Sequence, residues 1–137
     1  MITSRSRYGL LLLIDLADRS RGGAADIASV AARQAIPEAY LAKLLAPLKA
    51  AGIIATSRGP GGGLTLAKPP EATNMLEIVD ALEGRAGLGA ETEGAAKAEA
   101  GERAARTWKL LDEKIRKALA GTNLSDAAAA AALEYHI

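Results

Sequence analysis

Cysteine is absent from this chain of 137 residues, phenylalanine is absent too, and aromatic residues make up only 3% of it. Without thiols these residues cannot build a disulfide, a thiolate nucleophile or a cysteine-ligated zinc or iron–sulfur site. The one histidine, His136, sits beside the C-terminus, where it reads as a tail residue rather than a metal ligand. Long apolar runs are missing as well. The run GLLLLI at 9–14 ends at Asp15 and falls far short of the ~20 residues that a membrane span requires. Arg5 and Arg7 ahead of it imitate a secretion signal, but the following LADRSRGG has no uncharged small-residue cleavage site. The expectation is a cytoplasmic protein with no membrane contact and no cofactor. No nucleophile–base pair, metal cluster or phosphate loop stands out, which sets an enzyme aside.

What is present is an aliphatic core and an uneven charge. Hydrophobic residues make up 50%, enough for one domain with an extra helical arm. The net charge of +1 hides two opposite halves. Residues 1–70 hold nine Lys/Arg against four Asp/Glu, and residues 71–137 hold eight against twelve. A basic half of this kind suits a nucleic-acid surface, although charge alone does not exclude chance clustering.

The stretch IPEAYLAKLLAPLKAAGIIATSRGPGGGLTL, residues 36–66, organises the rest. Leu41, Leu44, Leu45 and Leu48 make one apolar helical stripe, while Glu38, Tyr40, Lys43 and Lys49 lie on the other side among small alanines. Pro37 suits the helix start, and Gly52 stands where a left-handed C-terminal cap is expected. Residues 53–57 and 64–66 then read as short strands joined by Arg58 and a glycine-rich turn. That turn, GPGGGL, lacks the Lys-Ser/Thr of a phosphate-binding loop and leads into a strand, not a helix. An ordinary hairpin with a solvated arginine is the plain alternative to a wing that touches DNA.

Around this stretch the chain supplies a first helix over 4–19 and a break at Gly22-Gly23. A second helix starts near 24–26, with Asp26 in its first turn and Ile27, Val30 and Ala31 facing inward. Helix, tight turn, helix and hairpin is the order of a winged helix-turn-helix; a plain αα-hairpin leaves the hairpin unexplained. Asn74 caps a further helix over 75–83, with Leu76, Ile78, Val79 and Leu82 directed inward, and Gly84 closes it. Residues 85–101 are rich in Gly, Ala and Glu and read as a loop. From 102 to 120 the spacing of Ala104, Trp108, Leu111, Ile115 and Ala118 marks a seam that packs along a partner helix, the plain alternative being that Trp108 folds back on its own domain. Arg106, Lys109, Lys114, Arg116 and Lys117 fall off that seam and read as wet or snorkelling. A short capped turn is expected at Ser125-Asp126. The fold class is therefore mainly α with a small β-hairpin wing. Residues 1–84 form the DNA-binding part, 85–101 a loop of the effector type, and 102–137 the dimerisation helix and tail.

SRYGLLLLIDLA followed by ADIASVAARQAIPEAYLAKLLAPLKAAGIIATSRGPGGGLTLAKPP resembles the bacterial Rrf-type (IscR-, NsrR- and CymR-like) winged helix-turn-helix regulators. YLAKLLAPLKAAGII and SRGPGGGLTLA carry most of the likeness, which extends through NMLEIVDALEG and the Trp108 helix. The resemblance implies a homodimer whose long helix, with Leu11, Trp108, Leu111, Ile115 and Ala118, lies at the interface. It also implies double-stranded DNA as partner and an effector protein or small ligand at the 85–101 loop. Cluster-binding members carry three cysteines in that loop, so this chain resembles the cluster-free members. The family's base-reading positions map onto Ala39, Ala42 and Lys43, with Glu38 and Tyr40 as helpers. Phosphate contacts are expected from Ser4, Arg5, Arg7, Lys49 and Arg58, with Gly59, Gly61 and Gly62 at the wing tip. Because two reading positions are alanine, a winged-helix protein-interaction module that has lost specific DNA binding is the competing expectation.

Overall fold

The computed structural model describes residues 2–18, 23–85, 87 and 99–127. Five helices and a hairpin follow one another: α1 (Ser4–Asp18), α2 (Ile27–Gln34), α3 (Glu38–Ala50), β1 (Ile54–Ser57), β2 (Gly63–Leu66), α4 (Met75–Glu83) and α5 (Glu99–Ala120). A 3-10 turn over Pro70–Ala72 connects the hairpin to α4. The expected mainly α, winged helix-turn-helix architecture is what forms. Most of the loop expected at 85–101 lies outside the described residues, and α5 starts at Glu99, ahead of position 102.

The core gathers one side of every helix except α5: Leu12, Leu13 and Leu16 from α1, Val30 and Ala31 from α2, Leu41, Leu44 and Leu48 from α3, Ile78 and Leu82 from α4. α1 is closed in so tightly that a Cβ on Gly9 would stand 2.3 Å from Leu82 Cδ1. Leu124, beyond α5, is also buried in this core. Backbone bonds from Met75 N to Thr122 O and from Leu124 N to Thr73 O (2.8 Å each) stitch the end of α5 to the start of α4.

Local chemistry sets the ends of the elements. Asp26 is the N-cap of α2 rather than a residue of its first turn: its carboxylate accepts from the Ser29 N–H (2.8 Å) and hydroxyl (2.9 Å). Those bonds, the backbone one first, hold the Asp26 carboxyl below its ordinary pKa. The cap needs an extended residue with a short acceptor, and position 26 meets both conditions. Asn74 caps α4 in the same way, accepting from Glu77 N at 3.0 Å. Between α2 and α3 the chain turns at Ala35, which adopts φ 54 and ψ 44. A non-glycine residue there costs roughly 1–2 kcal/mol, so the surroundings must hold the turn.

They do so through Asp15. Its carboxylate, 5% exposed, accepts from Arg33 Nε (2.9 Å) and Nη2 (2.8 Å) and from Gln34 Nε2 (3.1 Å). The pairing raises the Arg33 pKa above its ordinary value. α1 is thereby clamped to the last turn of α2, next to the strained residue.

The hairpin pairs Ile54 with Leu66 and Ser57 with Gly63. It also gains a third, bridge-like neighbour: Ala25 and Leu64 exchange two backbone hydrogen bonds, at 3.0 and 2.7 Å. Only glycine fits at 63, because a Cβ there would lie 2.5 Å from the Ala25 carbonyl oxygen.

At the other end of α1, Thr3 donates its N–H and its hydroxyl (2.6 Å) to the Glu83 carboxylate of α4. Burial pushes the Glu83 pKa up, but the Thr3 hydroxyl and N–H, with the nearby Ser6 hydroxyl, outweigh it and leave it below its ordinary 4.5.

Two outcomes follow. Asp15→Ala removes the acceptor of three hydrogen bonds between α1 and the end of α2 and should lower the midpoint of urea unfolding, with Asp15→Ala/Arg33→Ala costing less than the sum of the single changes. A carboxyl depressed in the folded state stabilises above its unfolded pKa and loses that contribution as pH falls through the folded value. Between about pH 6 and 3, unfolding free energy should therefore fall less steeply in Glu83→Gln than in the unmodified chain.

Candidate nucleic-acid interface

α3 and the wing present the residues expected to meet DNA. α3 turns Leu41, Leu44 and Leu48 into the core, with Leu45 partly covered. The opposite side leaves Glu38, Ala39, Ala42, Lys43 and Lys49 exposed. The helix can do this because its apolar residues recur at three- and four-residue intervals while the intervening positions are small or charged. Pro47 inside α3 removes one helical N–H and so frees the Lys43 carbonyl, a feature the apolar pattern does not announce. Gly52 (φ 72) ends the helix in the left-handed conformation expected of it, and the chain enters β1 at once.

Tyr40 is placed differently from its neighbours. It is half-buried, and its ring meets Tyr8 of α1 edge-on, centroids 5.0 Å apart and planes at 72°. Such a pair contributes roughly 0.5–1.5 kcal/mol beyond its buried area. It ties the first turn of α3 to the second turn of α1. The first turn of α1 exposes Ser4, Arg5 and Arg7. In the wing, Arg58 and the tip residues Gly59 and Gly61 are exposed and Gly62 is half-covered.

The cations divide into two groups. Arg33 is engaged with Asp15, Lys68 with Glu77 (2.8 Å), and Arg116 with Asp80 through two bonds of 3.0 and 2.9 Å. Arg116, which the seam pattern leaves wet, is thus a link between α5 and α4, and its pKa is raised by Asp80. Arg5, Arg7, Lys43, Lys49 and Arg58 form no ion pair among the described residues. Free cations on exposed helix and hairpin positions are what a phosphate backbone requires.

α5 has no buried residue. The seam residues are all open: Trp108 is 43% exposed, Leu111 39% and Ile115 40%, and Ala118 is exposed too. Leu11 of α1 is exposed, as is Leu110, which the seam spacing does not include. Beside Ile115 a groove of about 170 Å³ runs between α4 and α5, floored by Leu76, Val79 and Leu119 and closed by Ile2. Leu76 thus lines this groove rather than the core.

No three His, Cys, Asp or Glu side chains among the described residues could together hold a metal ion. The donor set does not fit an iron–sulfur cluster, because the chain holds no thiol. No helix among the described residues is long and apolar enough to cross a membrane.

The comparisons with known proteins agree with this geometry. The Rrf2 family, described as iron-dependent transcriptional regulators, matches residues 2–130. The HTH-type transcriptional regulator IscR of Cereibacter sphaeroides is 34% identical over 131 residues, covering 91% of this chain and 84% of that protein. The HTH-type transcriptional regulator CymR of Bacillus subtilis is 36% identical over 83 residues, 61% of this chain and 60% of that one. Among solved structures, CymR (YrzC), the global cysteine regulator of B. subtilis, superposes with a TM-score of 0.79 at 30% identity, covering 94% and 96% of the two chains. The IscR of T. potens gives 0.75 at 27% identity, covering 96% and 88%. A winged helix-turn-helix with this element order, matched over nearly its whole length, places the chain in the Rrf2 family of DNA-binding transcription regulators.

Proposed function

We propose that the chain works as a homodimer in the cytoplasm, binding a specific DNA operator as a repressor without an iron–sulfur cluster. The observation that carries this reading is the pairing of an exposed Lys43 on α3 with an exposed Arg58 on the adjoining wing, neither of them in an ion pair among the described residues. α3 lies in the major groove, where Lys43 reads a base edge, Glu38 assists, and the Ala39 and Ala42 methyls pack against thymine methyls. Tyr40 supports α3 through Tyr8 and offers its hydroxyl at the rim. The wing enters the adjacent minor groove with Arg58. Ser4, Arg5, Arg7 and Lys49 grip phosphates. Dimerisation covers Leu11, Trp108, Leu111, Ile115 and Ala118, an apolar set too extended to leave in water. An effector acts at the 85–101 loop, and the absence of thiols directs that role to a protein or a ligand other than a cluster.

A second reading, a protein-interaction module, is favoured by the alanines at positions 39 and 42. The two part company in a titration of operator and scrambled duplexes. Lys43→Ala should narrow the discrimination between them by about 1–3 kcal/mol, and Arg58→Ala should weaken both and lower the salt slope by about one. Unchanged binding in both variants contradicts the docking.

A further inference from the structure

The first turn of α1 carries no acidic residue to complement its N-terminus. Thr3 caps the turn only in part, its hydroxyl accepting from Arg5 N at 3.2 Å. The rest of the cap comes from eighty residues away. Glu83, the last residue of α4, accepts both the N–H and the hydroxyl of Thr3. Beneath this contact Ser6 is buried at 2% exposure. One turn further along, Gly9 seats Leu82 so closely that the two helices cannot slide past each other. The beginning of α1 is therefore referenced to the end of α4 by a polar clasp and an apolar stop.

A carboxylate at this place is costly for a DNA-binding surface. The N-terminus of a helix favours phosphate, and a fixed negative charge beside Ser4, Arg5 and Arg7 repels the backbone those residues are read as gripping. Simple charge counting makes Glu83 a defect. Its geometry assigns it the opposite role. We propose that Glu83 is a positioning residue for DNA binding: by clasping Thr3 it fixes the first turn of α1 so that Ser4, Arg5 and Arg7 meet one stretch of phosphate backbone together. This rests on the DNA-binding reading above, and it adds a residue that touches no DNA itself.

Glu83 also stands one helical turn beyond Asp80, which holds Arg116 of α5. The same short piece of α4 thus anchors the phosphate-gripping turn and the helix that carries the open apolar seam.

The test measures binding of the full-length chain to a mixed-sequence DNA duplex across a salt series. Glu83→Ala and Glu83→Gln are compared, each also in an Arg5→Ala/Arg7→Ala background. Positioning requires Glu83→Ala to weaken binding, by roughly three- to ten-fold with a salt slope smaller by about one, although a negative charge has been removed. Glu83→Gln, which keeps an acceptor for Thr3, should restore binding to at least the original level. In the Arg5→Ala/Arg7→Ala background Glu83→Ala should have almost no effect. Tighter binding by Glu83→Ala, or the same fold loss in both backgrounds, overturns the proposal and leaves the DNA-binding reading standing. Failure of the unmodified chain to bind any duplex removes that reading instead. Should Glu83→Ala not fold, Thr3→Val removes the hydroxyl that donates to Glu83 and accepts from Arg5 N while keeping the Thr3 N–H bond to Glu83, and it must show the same dependence on Arg5 and Arg7.

Discussion

A single buried carboxylate fixes the geometry on which the rest depends. Asp15 receives three hydrogen bonds from Arg33 and Gln34, at the point where α2 gives way to the left-handed Ala35. A charge at 5% exposure survives only when paired, and this pair holds α1 against the last turn of α2. With that turn set, α3 has one way to bury Leu41, Leu44 and Leu48, and its small and charged side is left outward. The wing follows from the same constraint: Ala25, just ahead of α2, exchanges two hydrogen bonds with Leu64 of β2.

α4 plays a comparable part at the other end of the molecule. Through Glu83 it holds the start of α1, through Asp80 the C-terminal part of α5, and through Asn74 and Met75 the segment after α5. α5 is accordingly no loose arm, because its C-terminal end is tied back and Leu124 enters the core. What remains open is the side of α5 carrying Trp108, Leu111 and Ile115, together with the groove that Ile2, Leu76, Val79 and Leu119 line. The relatives named IscR and CymR share this architecture across nearly the full chain, while the thiols a cluster would need are missing here.

Much of this was legible in the sequence, for a specific reason. The α3 stripe, the Gly52 cap, the Asn74 cap and the strand–glycine–strand pattern are local signals, read within about one or two helical turns. The contacts that organise the fold are not local. Asp15 looks in sequence like the residue that interrupts an apolar run, and only the fold brings Arg33 and Gln34 to it. Asp26 was expected in the first turn and is the cap, a one-residue difference of the kind that helix ends permit. Ala35 carries a conformation that glycine or asparagine would have announced. Glu83 with Thr3, Asp80 with Arg116 and Ala25 with Leu64 join residues with no periodic relation to one another. The candidate interface was visible as a set of outward cations, but the sequence could not separate those engaged internally, Arg33, Lys68 and Arg116, from those that form no ion pair among the described residues.

The central claim is that paired copies of this chain offer α3 and the wing to adjacent grooves of a duplex. Selection of bound duplexes from a random pool by the purified protein tests it most directly. The account predicts enrichment of an inverted repeat whose half-sites are spaced by about one helical turn, roughly 10–10.5 base pairs, or a multiple of it. A pool that stays random through selection, or that yields only an unpaired single half-site, contradicts it.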